Sequence, residues 1–337
     1  MLEKIISSLL KDGLKEKLFT NAALSVINRD TVLYIGCPES SLSLYFDIAS
    51  ITKPISGVLT IILYLEKRLD IETPISYWYG DRFSDIKIIN LLNHSSGFKA
   101  YYPFYRGFLP EDSGKRDVKD KIIREILTLR GKSKETIYSD LNYILLCDII
   151  EKSLGQEYPE IFRRFFNQRF SLEKLFFKPK VTPFYKKERF VPTGYSIWRK
   201  RELIGEVNDD NCFLLGEYSA HAGLFTDIYT LSRFVQMIIK GEISIPEQFL
   251  SPLSKGRFTF SGWDTPTFPN STSGDYFTQG YTIGHLGFTG CSIWIDLKRA
   301  LSIILLTNKT IYNVSKEKFN NFRKRLHNCL MERLVSV

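Results

Sequence analysis

Asp47-Ile48-Ala49-Ser50-Ile51-Thr52-Lys53-Pro54, running on into an apolar stretch that ends near Lys67, decides how the rest of the chain is read. Proline is tolerated in the first turn of a helix, where backbone N–H groups lack intrahelical partners. Pro54 therefore puts a helix start close to Ser50, with a long apolar helix from about Thr52 to Lys67. Ser50 and Lys53 stand three apart, so one turn of that helix presents both on the same face. A serine hydroxyl is a poor nucleophile until a neighbouring base takes its proton. A partly desolvated lysine can do so, because desolvation lowers its pKa. The positive pole of the helix dipole also favours negative charge developing at that end. Taken alone, Ser-x-x-Lys recurs by chance, and its plain reading is a helix start with an exposed lysine.

Upstream, residues 3–19 carry apolar side chains at helical spacing (Ile5, Leu9, Leu14), the pattern of an amphipathic helix. Ala22 to Ile27 and Thr31 to Ile35 are β-rich runs around Asn28-Arg29-Asp30, a predicted hairpin. Downstream, residues 68–200 read as helical patches with aromatic and basic connections. Cys291 to Asp296 and Leu301 to Leu306 form a second predicted hairpin, and Ser315 to Leu334 a closing charged helix. Strands at both ends around a helical middle predict an α/β architecture of the α+β type. Its antiparallel sheet is built from both chain termini and flanked by helices, residues 1–67 and 205–337 forming the sheet-containing region. Residues 68–204 form an inserted, mostly helical region, and the cleft between the two is the expected ligand site.

Two further segments carry chemistry. Tyr138-Ser139-Asp140-Leu141-Asn142-Tyr143 precedes a helical run, Ile144 to Ser153. A tyrosine beside a lysine loses its proton more easily and can relay protons; the plainer reading is a helix cap at Ser139 or Asp140. Gly284-His285-Leu286-Gly287-Phe288-Thr289-Gly290 leads into the second hairpin. Its glycines let backbone approach a ligand closely, as a strand edge that offers its amide to an oxyanion, or simply form a turn before a strand.

Other function classes fit less well. Lys and Arg outnumber Asp and Glu 46 to 37, a net charge of +9, which favours anionic surroundings without choosing among nucleic acid, acidic lipid and wall precursors. The basic residues are scattered and carry no zinc-finger or RRM signature, against nucleic-acid binding. Gly131-Lys132-Ser133 ends like a P-loop, but Ile126 occupies the position of the required earlier glycine. No G-x-S-x-G elbow exists. Five widely spaced cysteines, Cys37, Cys147, Cys212, Cys291 and Cys329, suit a reducing compartment, and their spacing with the histidines predicts neither a metal site nor a cofactor. The first apolar stretch is broken by charge at once, and the apolar run into Leu65 is shorter than the roughly 20 residues of a membrane span. The expectation is a cytoplasmic chain without a membrane span, periplasmic if a leader lies upstream.

In order and spacing these segments resemble the class C β-lactamase, D-alanyl-D-alanine carboxypeptidase and esterase group of serine hydrolases. The triplet S-x-x-K, Y-S-N and K-T-G or H-x-G is matched by Ser50 to Lys53, Tyr138 to Asp140 and His285 to Gly287. Leu91 to Gly97 is similar to L-L-x-H-x-S-G, Gly205 to Asn211 to G-x-V-H-D-x-N-A, and Ala220 to Phe225 to G-H-A-G-L-F. The likeness spans roughly residues 20 to 320. It implies a β-lactamase/transpeptidase-like fold working as one catalytic unit, with an acyl-enzyme on Ser50. Lys53 and Tyr138 would share the proton of Ser50 and protonate the leaving group. The backbone amides of Ser50 and Phe288 would form the oxyanion hole, with His285 and Gly287 lining the cleft and Asp209 and Asn211 at its edge. His94 and His221 read as structural. The implied substrate is a small molecule or peptide, an anionic cell-wall precursor among the candidates. The alternative is a slow-deacylating sensor or wall-precursor binding protein.

Two departures bear on substrate, and a third on pH dependence. Asp140 replaces asparagine, exchanging a donor for a carboxylate that only accepts and holding Lys53 more firmly protonated, which moves the base role towards Tyr138. Leu286 replaces a threonine hydroxyl that meets a substrate carboxylate, a loss of about 1–3 kcal/mol. Both predict weak β-lactam turnover and a preference for an ester, amide or D-amino-acid substrate. His285 replaces lysine and introduces a group that titrates near neutrality, predicting a rate component between about pH 5 and 8. The aromatic, basic region 162–200 is either a substrate rim or a helical core whose long basic side chains lie outside.

Overall fold

The structure is a computed structural model that describes residues 2–131, 135–177, 186–251, 258–269 and 271–335. Lys132 and Ser133 of the P-loop-like stretch, and Lys178 and Tyr185 of the aromatic, basic region, lie outside the described residues. The strands described are β1 (Ala22–Asn28), β2 (Thr31–Cys37), β3 (Phe46–Asp47), β4 (Leu175–Phe177), β5 (Gly194–Ser196), β6 (Arg201–Leu203), β7 (Leu224–Thr226), β8 (Thr282–Leu286), β9 (Ser292–Asp296) and β10 (Leu301–Thr307). Five make the main antiparallel sheet in the order β2-β1-β10-β9-β8. Both chain ends meet at its centre, where Ala22 pairs with Thr307 and Asn28 with Leu301.

Successive strand side chains point to opposite faces, and here both faces are covered. Leu24, Val26, Trp294, Ile303 and Leu305 pack with Ile6, Leu10, Leu326 and Leu330 of the terminal helices Leu2–Lys15 and Lys316–Val335. Ala23, Ile27, Ile293, Ile295 and Ile304 join the core of the other side, with the helices Thr52–Leu65 and Ile228–Ile239. Two covering layers explain why β10 is buried along its whole length rather than alternately.

The helix Thr52–Leu65 is buried from Thr52 to Leu63, as an all-round apolar helix must be. Gly57 is the point where the backbone of residue 261 crosses it: a Cβ there would lie 1.9 Å from the Ser261 carbonyl oxygen. The helix Asp140–Leu154 starts earlier than Ile144, because the Ser139 hydroxyl accepts the Asn142 N–H and caps it. A small sheet, β3-β7-β4, pairs Asp47 with Phe225 and so carries the Ala220 to Phe225 segment beneath the Ser50 turn.

Of the two readings of Gly284 to Gly290, strand edge and glycine-rich turn, the first holds as far as Leu286, which ends the edge strand β8. In the aromatic, basic region, Phe162, Phe165 and Phe166 are core, while Arg163 pairs with Glu160 and Arg169 with Glu66 near the surface. Arg199 departs from the expectation of external basic side chains. It is buried, held by Asp210 at 2.8 Å and by the carbonyls of Val207 and Asn208.

Candidate active site

Ser50 sits in a single tight turn, Ala49–Ile51, that feeds directly into the helix Thr52–Leu65. Ala49 before it takes φ +48°, a left-handed conformation that costs a non-glycine residue about 1–3 kcal/mol and needs support from its surroundings. Support comes from Asp47, whose Oδ1 accepts the Ala49 N–H at 2.8 Å. One turn on, the Lys53 ammonium donates to Ser50 Oγ at 2.9 Å and to the His221 carbonyl at 3.2 Å, and pairs with Asp140 Oδ1 at 2.7 Å. The Lys53 side chain is fully buried. Burial pulls its pKa down, but the charge of Asp140 and then Tyr138 outweigh that, and the ammonium is held above the ordinary lysine value.

Tyr138 completes the cluster. Its ring lies 4.8 Å from Lys53 Nζ. Burial raises the phenol pKa, offset in part by the Lys53 charge. His94 fixes the segment that delivers it. This residue, buried and at φ +63°, accepts the Ser139 N–H on Nδ1 at 3.1 Å while its carbonyl accepts the Ile137 N–H. A ring nitrogen that accepts from an amide leaves the proton on Nε2 in the neutral form.

The opposite wall is the end of β8. His285 is buried with its ring 5.7 Å from that of Tyr138. Gly287 touches the turn before Ser50, where a Cβ would lie 2.6 Å from the Ile48 carbonyl oxygen, so the close approach demands glycine. Phe288 is 67% exposed at the rim. Among the described residues, the N–H groups of Ser50 and Phe288 donate no backbone hydrogen bond. The cleft between these walls, about 770 Å³, is lined by Ser50, Tyr138, Asp140, His285, Gly287 and Phe288 among others.

Three cations, Lys309, Lys316 and Arg323, also line the cleft, and none is ion-paired among the described residues. Arg323, 2% exposed, donates to the Gly290 carbonyl at 3.0 Å and to Asn320; burial takes its pKa down to about 10. Sequence reading did not find these three, which lie more than 250 residues from Ser50.

Asp209 also lines the cleft. Its Oδ1 accepts the Cys212 N–H and lies 3.4 Å from His221 Nε2. Burial would raise its carboxyl, but His221 and the Cys212 amide hold it below the usual range. Asn211 does not reach the cleft. It is buried, with its amide accepting the Tyr105 N–H and donating to the Tyr102 carbonyl, so it pins the strand of chain that brings Tyr101 and Tyr105 to the rim. Among the described residues, no three His, Cys, Asp or Glu side chains converge as a metal site, and no helix is long and apolar enough to cross a membrane.

A sequence model of the Beta-lactamase family matches residues 6–324. The chain belongs to the beta-lactamase family. That membership makes it a serine hydrolase of the beta-lactamase-related group, with the mixed antiparallel fold described above. Among relatives of this beta-lactamase-family hydrolase, the "N-acetylmuramyl-L-alanine amidase" of Bacillus subtilis (strain 168) is 29% identical over 306 residues, 78% of this chain and 68% of that protein. The "Putative D-alanyl-D-alanine carboxypeptidase" of Escherichia coli (strain K12) is 28% identical over 251 residues, covering 66% of this chain and 57% of that one. The chain thus spans between about half and two thirds of these relatives' length. A solved class C beta lactamase has the same fold, with a TM-score of 0.73 at 16% identity over 100% of this chain and 98% of that one.

Proposed function

We propose that the protein cleaves an ester, amide or D-amino-acid peptide bond through an acyl-enzyme on Ser50. One observation carries this reading: the buried Lys53 ammonium is 2.9 Å from Ser50 Oγ, beside Asp140 and the Tyr138 ring. Because Asp140 keeps Lys53 charged, Lys53 acts as an electrostatic support and Tyr138 as the base. The reactive state is the one in which Tyr138 has given its proton to solvent, a phenolate that burial opposes and the adjacent ammonium favours. Tyr138 takes the Ser50 proton as Oγ bonds to the substrate carbonyl carbon. The same phenol then returns the proton to the leaving nitrogen or oxygen as its bond to carbon breaks. Water reverses the sequence to free Ser50. The amides of Ser50 and Phe288, not engaged in backbone hydrogen bonds, are the donors for the oxyanion.

The cations lining the cleft favour a leaving group that carries a carboxylate, as in a peptide ending in a D-amino acid. They compensate for Leu286, which offers no hydroxyl to such a group. The relatives' names, an amidase and a carboxypeptidase, support amide and peptide substrates over β-lactams. Labelling wild type and Ser50→Ala with a fluorescent penicillin and a fluorophosphonate tests the nucleophile: labelling lost in Ser50→Ala is expected, and labelling that persists overturns the assignment. For substrate, p-nitrophenyl ester hydrolysis is expected to exceed nitrocefin hydrolysis, and nitrocefin turnover at the rate of a dedicated β-lactamase contradicts it.

A further inference from the structure

Asp47 is a buried carboxylate that the chemistry above does not use. It is 1% exposed at the end of β3, and it holds three separate pieces of the cleft. Oδ1 accepts the N–H of Ala49, the left-handed residue that aims Ser50. Oδ2 accepts the N–H of Asn208 at 2.6 Å, on the loop whose Asn208 and Asp209 line the cleft. The main-chain carbonyl accepts the Thr289 hydroxyl at 2.7 Å, anchoring the loop that presents Gly287 and Phe288. No ion pair neutralises it among the described residues.

Resting on the acyl-enzyme reading, we propose that Asp47 is a positioning residue for that reaction: as a carboxylate it locks the Ser50 turn and the Asn208–Asp209 loop into one arrangement, while its main-chain carbonyl ties in the Gly287–Phe288 loop. Both carboxylate oxygens face N–H donors, so only the ionised form satisfies both. Protonation, or replacement by an amide, turns one acceptor into a donor that confronts an N–H, and the turn and loop lose a shared anchor. A displacement of about 1 Å at a reacting group costs about 100-fold in rate. The carboxylate itself bonds to none of Lys309, Lys316 and Arg323, so contacts of a substrate with those cations do not depend on its charge.

The groups facing Asp47 set its titration. Burial raises it, the amides of Asn208 and Ala49 lower it, Asp209 raises it and Arg199 lowers it, leaving it pushed up to about 6. Cys212 and Cys291, from the segments packed on either side, are themselves raised by burial and stay neutral there. A loss of kcat on acidification through about pH 6 follows, with KM little changed.

The test uses p-nitrophenyl acetate and the full chain as wild type, Asp47→Asn, Asp47→Glu and His285→Gln, each checked for folding by circular dichroism. Asp47→Asn is expected to lower kcat about 10- to 100-fold with KM within about threefold and to lose the acidic limb. Asp47→Glu keeps the charge, and is expected to recover part of kcat and keep a limb at a shifted pH. A kcat for Asp47→Asn within about twofold of wild type overturns the proposal. So does an acidic limb that survives in Asp47→Asn but vanishes in His285→Gln. If Asp47→Asn does not fold, a limb at the same pH in Asp47→Glu as in wild type overturns it. Ser50→Ala, run alongside, separates the two readings: activity retained there refutes the acyl-enzyme, whereas an unaltered Asp47→Asn with an inactive Ser50→Ala refutes the role of Asp47 alone.

Discussion

Replacing Asp140 with asparagine leaves the buried Lys53 ammonium without the carboxylate that lies 2.7 Å away. Removing one partner of a buried ion pair costs about 3–5 kcal/mol. Asp140 retains 19% exposure, which places the expected loss near the lower end, about 3 kcal/mol at about pH 6. The cost has a pH signature. In wild type, burial lowers the Lys53 value but Asp140 and Tyr138 raise it further, to above an ordinary lysine. The pair's contribution is therefore fully present below about pH 10.4, the unfolded value, and is lost only as pH rises through the folded one. In the variant burial is largely unopposed, the folded value falls below the unfolded one, and stability rises with pH as the ammonium gives up its proton. The gap between the two proteins is widest near pH 6 and narrows towards pH 10. Urea unfolding at several pH values measures it. A difference below about 1 kcal/mol, the size of an exposed pair, or one that does not change with pH, refutes the reasoning. The same substitution supplies an amide donor to a substrate carbonyl and returns the base role to Lys53, so acylation by nitrocefin is expected to rise.

Gly57→Ala sets local preference against packing. Alanine is the better helix former by about 1 kcal/mol, yet its Cβ would lie 1.9 Å from the Ser261 carbonyl oxygen, and a net destabilisation of about 1–3 kcal/mol is expected in urea unfolding; a stabilised variant would show that the 261 segment moves freely off the helix. Asp47 carries a stability cost as well as an anchoring role. Its folded value near 6, raised from 3.8 chiefly by burial, means that the native state holds the proton more tightly than the unfolded chain does. Its contribution is then most favourable below about pH 4, falls between about pH 4 and 6, and leaves a cost of about 3 kcal/mol above that. Asp47→Asn removes the titration, so its stability relative to wild type should climb over that window; a difference flat in pH contradicts the shift.

Much of the site was legible because its chemistry is local. Ser50 and Lys53 lie one helical turn apart, Pro54 marks where that helix can start, and both hairpins announce themselves by short β-rich runs around polar turns. Tyr138, Asp140 and His285 came from ordered resemblance, and the structure brings them together at the cleft. What escaped was non-local. Nothing around Ser292 or Leu301 says that both faces of the sheet are covered, which depends on helices from opposite ends of the chain. The Gly284 to Gly290 stretch allowed both a strand edge and a glycine-rich turn, and only pairing with β9 decides that its first half is strand. The resemblance put Asn211 at the edge of the cleft, but its amide finds backbone partners at Tyr102 and Tyr105 instead. Arg199 was taken for a surface cation, since no local pattern indicates that Asp210 and two carbonyls await it inside. Asp47, three residues before the nucleophile, was in plain view; its role depends on Asn208 and Thr289, which only the folded chain brings to it.

The central claim is that Ser50 becomes covalently acylated. Intact-mass and peptide-mapping mass spectrometry after rapid acid quench of a reaction with p-nitrophenyl acetate addresses it most directly. A single acetyl adduct is expected on the peptide containing Ser50, present in wild type and absent from Ser50→Ala. An adduct mapped to any other residue, or Ser50→Ala turning over the ester at the wild-type rate, would contradict it.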